Sequence, residues 1–283
     1  LKTTLAALEF FPRERKVFLL DIYEKIAPVA EESTDAALIE AIEEESASTK
    51  VAKMGVSASL AFPPCVGCTV RKCPMPAQCK VPEVRWMRKQ AGKSAVLTPY
   101  TQNPSEIWVR YKIFPELPES FRFDIDEGLG GNRAPLTTRM VFLQRHLQKF
   151  PLIEVLPKLS VAVLVSRLAR KGSEGAALVR EYRRYRKPEE GALARQRILQ
   201  KVTESEGIFV YERDLRKLAT NLSAFDAFFC AYTALLDDLD GCEPAPKGRV
   251  EPRLRFPKIS GKAFAFSKSG PGVKGWMERD AVQ

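Results

Sequence analysis

The chain has 283 residues, of which 45% are apolar and 28% are charged, a composition typical of a soluble globular protein. Its 45 Lys and Arg residues outnumber its 35 Asp and Glu residues, and the resulting net charge of +10 favours anionic partners, nucleic acid above all. No run of about 18 apolar residues occurs and the first residues lack signal-peptide features, so we expect a cytoplasmic protein without membrane contact.

Strands and helices alternate along the predicted chain. A hairpin of two strands is predicted over 3–27, and an acidic amphipathic helix follows at 33–46. A buried strand over 51–62 ends at two prolines, and a short basic helix begins at Pro82. The remaining predicted elements are helices at 132–150, 191–204, 210–222 and 223–239, a strand from 151 that becomes a helix after Pro157, and a short strand at 273–278.

This alternation predicts a single α/β domain over 1–283, with a small cysteine-rich insertion at 63–93. The insertion holds four of the six cysteines within fifteen residues: Cys65, Cys68, Cys73 and Cys79. Structural disulfides are rare in a reducing compartment, so a metal site is the favoured interpretation. Four thiolates suit tetrahedral zinc, while an iron–sulfur cluster and unmetallated thiols are the alternatives.

The spacing of the four cysteines is close to that of a zinc knuckle, a reader of single-stranded nucleic acid. Here the third ligand is Cys in place of His, and the last gap is one residue longer. Arg71 and Lys72 lie inside the loop and are predicted to contact nucleic acid. The other two cysteines are predicted to form no disulfide, with Cys230 a buried core thiol and Cys242 a loop thiol.

A second basic segment lies at 167–201, where eleven bases stand against four acids. Its stretch REYRRYRK predicts a phosphate-contacting helix, because Arg supplies forked donors and Tyr supplies a stacking face. A solvated charged helix is the alternative. The predicted contacts are Arg180, Arg183, Arg184 and Arg186, with Tyr182 and Tyr185 between them.

Two carboxylates occupy apolar surroundings, where an unpaired charge is costly. Glu154 lies in the strand LIEVLP, and Asp226 lies in the helix AFDAFFCAYTAL. Each therefore needs a cation, which is either an internal salt-bridge partner or a metal ion.

The stretches LIEVLPKLS, GALARQRILQKV and FDAFFCAYTALL, in this order, resemble a bacterial and archaeal family of predicted ribonuclease H-like nucleases. GVSASLAFPP and KGWM also look like landmarks of that family. The resemblance implies a ribonuclease H-like mixed sheet flanked by helices. Acids at one edge of such a sheet hold two Mg²⁺ or Mn²⁺ ions, which activate water and stabilise the leaving oxygen of a phosphodiester.

Glu154 and Asp226 match acids of that family, and the resemblance implies carboxylates about 4 to 8 Å apart. Ser57 stands where the family carries a further acid. The acid of the first strand is expected upstream of Leu1, or is lost.

Three hypotheses follow from these residues. The first is a metal-dependent nuclease that acts on DNA or RNA. The second is a catalytically degenerate protein of the same fold that binds nucleic acid. The third is an interaction module whose zinc loop binds a protein.

Overall fold

The computed structural model describes residues 3–24, 26, 33–92, 95–171, 174–246, 250 and 252–260. The chain divides into two units, each with its own core. Unit 1 takes its described residues from Leu1–Ser57, Phe150–Glu243 and Arg255–Gln283. Unit 2 takes them from Ala58–Lys149 and Pro244–Leu254, and it contains the whole described part of the predicted insertion at 63–93. The strand predicted at 273–278 lies outside the described residues.

Unit 1 begins with the predicted hairpin, because two mostly apolar runs flank a charged turn. Strand β1 (Leu5–Phe11) pairs antiparallel with β2 (Lys16–Tyr23), and β5 (Ile208–Phe209) pairs parallel with β2. The predicted buried strand over 51–62 is much shorter. It forms β3 (Met54–Val56), which pairs parallel with β4 (Leu152–Val155) in a sheet of order β3-β4-β6, where β6 is Leu254–Arg255.

Helices flank these sheets, so the predicted mixed α/β architecture is confirmed in outline. Helix α10 (Leu222–Asp238) is the central one, since Phe225, Phe228 and Phe229 are fully buried. The helix packs against β1, β3 and α6 (Pro157–Lys171). The Asn221 side chain caps it by accepting hydrogen bonds from two backbone N–H groups. The helices of unit 1 are α1 (Thr34–Ser48), α6 (Pro157–Lys171), α7 (Gly175–Arg184), α8 (Gly191–Glu206), α9 (Glu212–Thr220) and α10 (Leu222–Asp238).

Unit 2 is built from short helices. The helix predicted over 132–150 ends at Leu143, and the chain continues in turns up to Phe150. The helices are α2 (Met75–Gln78), α3 (Pro82–Ala91), α4 (Pro104–Trp108) and α5 (Arg133–Leu143), with a π-helical turn at Val109–Ile113 and 3-10 turns at Phe114–Glu116 and Glu119–Phe121. No helix in the described ranges of either unit is long and apolar enough to cross a membrane.

The two solitary cysteines agree largely with their predictions. Cys230 is a buried thiol of α10, as predicted. Cys242 follows α10 outside any helix and is also buried, with its Sγ 3.5 Å from the carbonyl oxygen of Thr233. All six cysteines are free thiols.

Candidate functional site

The cysteine loop starts with a tight turn. The Cys65 N–H donates to the carbonyl oxygen of Pro99 at 3.0 Å, and the Cys68 N–H donates to the carbonyl oxygen of Cys65 at 3.4 Å. This turn places the first two thiols at its two ends. Cys73 follows in an exposed stretch, and the buried Cys79 comes directly after α2.

The four thiols share one electrostatic neighbourhood. Burial raises the pKa of the Cys65 thiol, and the charges of Cys68, Cys79 and Cys73 raise it further. Two of the thiols, Cys68 and Cys73, are exposed to solvent and to an entering ion. The donor set fits zinc, since four thiolates close a tetrahedral site without another ligand. In the part of the chain that the structure describes, no group of three His, Cys, Asp or Glu side chains already has a ligating arrangement.

A cleft of about 810 Å³ opens beside this loop, between α2, α3 and the chain that follows α3. One wall is apolar and comes mainly from α2 and Leu97, while α3 supplies three cations. The lining residues are Met75, Pro76, Ala77, Arg85, Arg88, Lys89, Gly92, Ala95 and Leu97.

The basic side chains of α3 line the cleft, whereas its apolar side chains are buried. Val84 and Met87 of the same helix are completely buried. Arg85 and Lys89 are exposed one turn apart, and neither has a salt bridge among the described residues. Arg88 donates a hydrogen bond to a backbone carbonyl of α2, which fixes the two helices against each other. Sequence reasoning recognised a basic helix here but did not assign it to a site.

The predicted contacts inside the cysteine loop, Arg71 and Lys72, are both exposed. They lie between Cys68 and Cys73, as the sequence requires. Both cations of unit 2 are therefore accessible to an anionic partner.

The second basic segment is only partly as predicted. Arg180 and Arg183 are exposed on α7, and Arg184 forms a solvent-exposed pair with Glu190 at 3.3 Å. The stacking role predicted for the tyrosines is wrong. Tyr182 is 6% exposed and Tyr185 is 1% exposed, because both rings pack inward with their centroids 5.7 Å apart.

Arg186 also differs from its predicted role, because it is bound to a carboxylate. Its Nη1 and Nη2 atoms each lie 3.0 Å from an oxygen of Asp226, a bidentate ion pair. Burial raises the pKa of the Asp226 carboxyl, although the positive charges of Arg186 and Arg195 lower it. The cation that the apolar surroundings of Asp226 demand is thus a side chain of the protein itself.

Glu154 lies on the face of β4 that is turned away from α10, the helix that carries Asp226. Its neighbours on β4, Ile153 and Val155, pack with Cys230 and Ala234 of α10. Because successive side chains of a strand alternate between faces, Glu154 is directed away from α10, and it is 4% exposed.

Ser57 follows β3 and is exposed. The pairing of Val56 with Glu154 brings the end of β3 beside β4, so Ser57 and Glu154 lie near one another along the paired strands. Asp226 is held separately by Arg186. This arrangement does not favour a metal ion shared by Glu154 and Asp226, and the catalytic roles of these residues stay predictions.

Comparisons with family models, with curated proteins and with solved structures found no match to this chain. The resemblance to ribonuclease H-like nucleases therefore rests on the sequence stretches quoted above.

Proposed function

We propose that this protein binds nucleic acid through unit 2, with zinc held by the four cysteines and phosphate groups contacted by the neighbouring cleft. The observation that carries the proposal is the pair of exposed cations on α3, Arg85 and Lys89, which face a cleft without a salt bridge in the described chain. Between Cys65 and Lys89 only one acid, Glu83, opposes the bases of this region.

The chemistry of the cleft suits a nucleotide chain. A guanidinium such as that of Arg85 donates forked hydrogen bonds to phosphate, and the Lys89 ammonium acts as a point charge. Met75 and Leu97 supply an apolar wall against which a sugar or base can lie. Met75 is 68% exposed, which leaves its thioether available for such a contact.

Zinc would act here as a structural ion. Cys65, Cys68, Cys73 and Cys79 would hold it, and the closed loop would fix Arg71 and Lys72 next to the cleft. A short loop with few buried side chains gains its order from such a metal, because binding energy becomes folding energy. The proposed role of the zinc is therefore to order the loop that carries the cations, and not to take part in catalysis.

Nuclease activity has less support than binding. A two-metal hydrolase needs several free carboxylates at one place. Asp226 is neutralised by Arg186, and Ser57 has no charge to offer a metal. Binding without hydrolysis is the activity that the described side chains favour.

The proposal is tested by reversing charge in the cleft. The variant Arg85→Glu with Lys89→Glu is titrated against a fluorescein-labelled oligonucleotide, and the anisotropy gives Kd. Each phosphate contact to a single strand contributes about 0.7 to the salt slope, so losing two contacts weakens binding about tenfold at physiological salt. Lys112→Glu with Arg145→Glu, which reverses two exposed charges of unit 2 outside the cleft, is the matched control. Equal Kd values for wild type, control and the double variant would contradict the proposal.

A further inference from the structure

The outward face of the β1-β2-β5 sheet carries a continuous row of aromatic rings. The centroids of Phe11 and Phe18 are 5.1 Å apart, those of Phe18 and Phe209 are 5.3 Å apart, and those of Phe209 and Tyr211 are 5.0 Å apart. Three of the four rings are well exposed: Phe11 at 36%, Phe209 at 45% and Tyr211 at 61%. A row of exposed rings costs solvation free energy unless something binds it.

The strand pattern accounts for the position of these rings. Val17 and Leu19 of β2 are 1% and 3% exposed, so they form the core side of the sheet. Phe18 lies between them and faces the other way. Phe18 is in register with Phe209 of β5, which places the two rings side by side on the outward face.

Positive charge borders the row at one end. The turn of the β1–β2 hairpin reads Pro-Arg-Glu-Arg-Lys, with Arg13, Arg15 and Lys16 against the single acid Glu14. Lys16 is in register with Phe11, so its exposed side chain lies beside the first ring of the row. Glu9, opposite Phe18, places a carboxylate near the middle of the row, where phosphates are disfavoured and uncharged bases are not.

We propose that this aromatic row binds single-stranded nucleic acid, with bases on the rings and phosphates at the hairpin cations. Exposed π faces accept every base, and the flanking cations supply the attraction to the backbone. A duplex buries its base faces in its own stack, so the row discriminates in favour of single strands. The inference deepens the proposed function and rests on it for the class of ligand, but it rests on different residues in a different unit.

The test replaces rings by aliphatic side chains, which keeps apolar area but removes stacking. Phe209→Leu with Tyr211→Leu is compared with wild type for binding to a labelled oligodeoxythymidylate. Loss of two stacking contacts weakens binding about tenfold or more, while the salt slope stays the same because no phosphate contact is lost. Leu193→Ala, an exposed apolar residue of α8, is the control and leaves Kd unchanged. An unchanged urea unfolding midpoint shows that the variant is folded.

The outcomes separate this inference from the proposed function. If wild type binds and Arg85→Glu with Lys89→Glu weakens binding while the ring variant does not, the row has no such role and the cleft remains. If wild type binds no oligonucleotide, both proposals fall. If the ring variant also changes the oligomeric state in light scattering, the row is a contact between copies of the chain and the inference is overturned.

Discussion

Replacing Glu206 with Gln tests a buried ion pair that joins three helices of unit 1. One oxygen of Glu206 lies 2.5 Å from Nη2 of Arg167 on α6, and both side chains are only 6% exposed. The other oxygen accepts a hydrogen bond from the Tyr232 hydroxyl of α10 at 2.8 Å. Both carboxylate oxygens of this α8 residue are therefore engaged away from water.

The expected loss of stability follows from the buried Arg167 charge that Glu206→Gln leaves without a carboxylate partner. Removing one member of a buried pair costs about 3 to 5 kcal/mol, because the other charge stays buried without compensation. Gln keeps the shape and one acceptor oxygen, and Arg167 keeps its hydrogen bond to the Lys258 carbonyl at 3.1 Å. We therefore expect the lower end, about 3 kcal/mol. Tyr232→Phe removes only a hydrogen bond to a charged group, which costs about 2 kcal/mol.

The assay is urea unfolding followed by circular dichroism, with Glu204→Gln as control because Glu204 is exposed on the same helix. A double variant, Arg167→Met with Glu206→Gln, should recover part of the loss, since no charge remains buried. An unfolding free energy for Glu206→Gln equal to that of the control would refute the reasoning.

Three further predictions address the metal, a charge and a close contact. Purified protein should carry about one zinc per chain, and Cys73→Ser should lower this content; mass spectrometry that finds neither zinc nor iron would contradict it. Arg186→Ala should raise the pKa of the half-buried Asp226 carboxyl further, because the positive charge of Arg186 lowers it in the wild type. The folded state then holds a proton that the unfolded chain loses at about pH 4, so the free energy of unfolding falls relative to wild type as the pH rises from about 4 to 7; parallel pH profiles in urea unfolding would oppose this. Gly55→Ala places a Cβ 2.3 Å from a backbone carbonyl oxygen of α10 and should cost about 3 kcal/mol in the same unfolding assay, whereas Gly67→Ala, with nothing within 4 Å, should be neutral.

The sequence predicted the hairpin and α10 correctly, because neighbouring residues are enough to indicate these elements. The hairpin was predicted because two apolar segments flank a charged turn, and α10 was predicted because its sequence is apolar nearly all round. The error at Tyr182 and Tyr185 was avoidable. Leu178, Tyr182 and Tyr185 follow the i, i+4, i+7 spacing of a buried helix face, and all three are buried.

The site depends more on tertiary structure. Arg186 and Asp226 are forty positions apart, and no periodicity relates them. The alternation around Glu154 shows that it faces away from Ile153 and Val155, but the sequence does not say which face α10 covers. The cations of α3 were visible as an i, i+3, i+4 set, whereas the apolar wall opposite them is brought there by the contact of α2 with α3.

The most direct test of nucleic-acid binding by unit 2 is the salt dependence of oligonucleotide affinity for the full chain loaded with zinc. Phosphate contacts by Arg85, Lys89 and one cation of the cysteine loop should contribute about −2 to the slope of log K against log salt, and contacts with the hairpin cations of unit 1 would add to it. Arg85→Glu with Lys89→Glu should make the slope shallower by about 1.4. No binding at low salt, or a slope near zero for the wild-type chain, would contradict the proposed function.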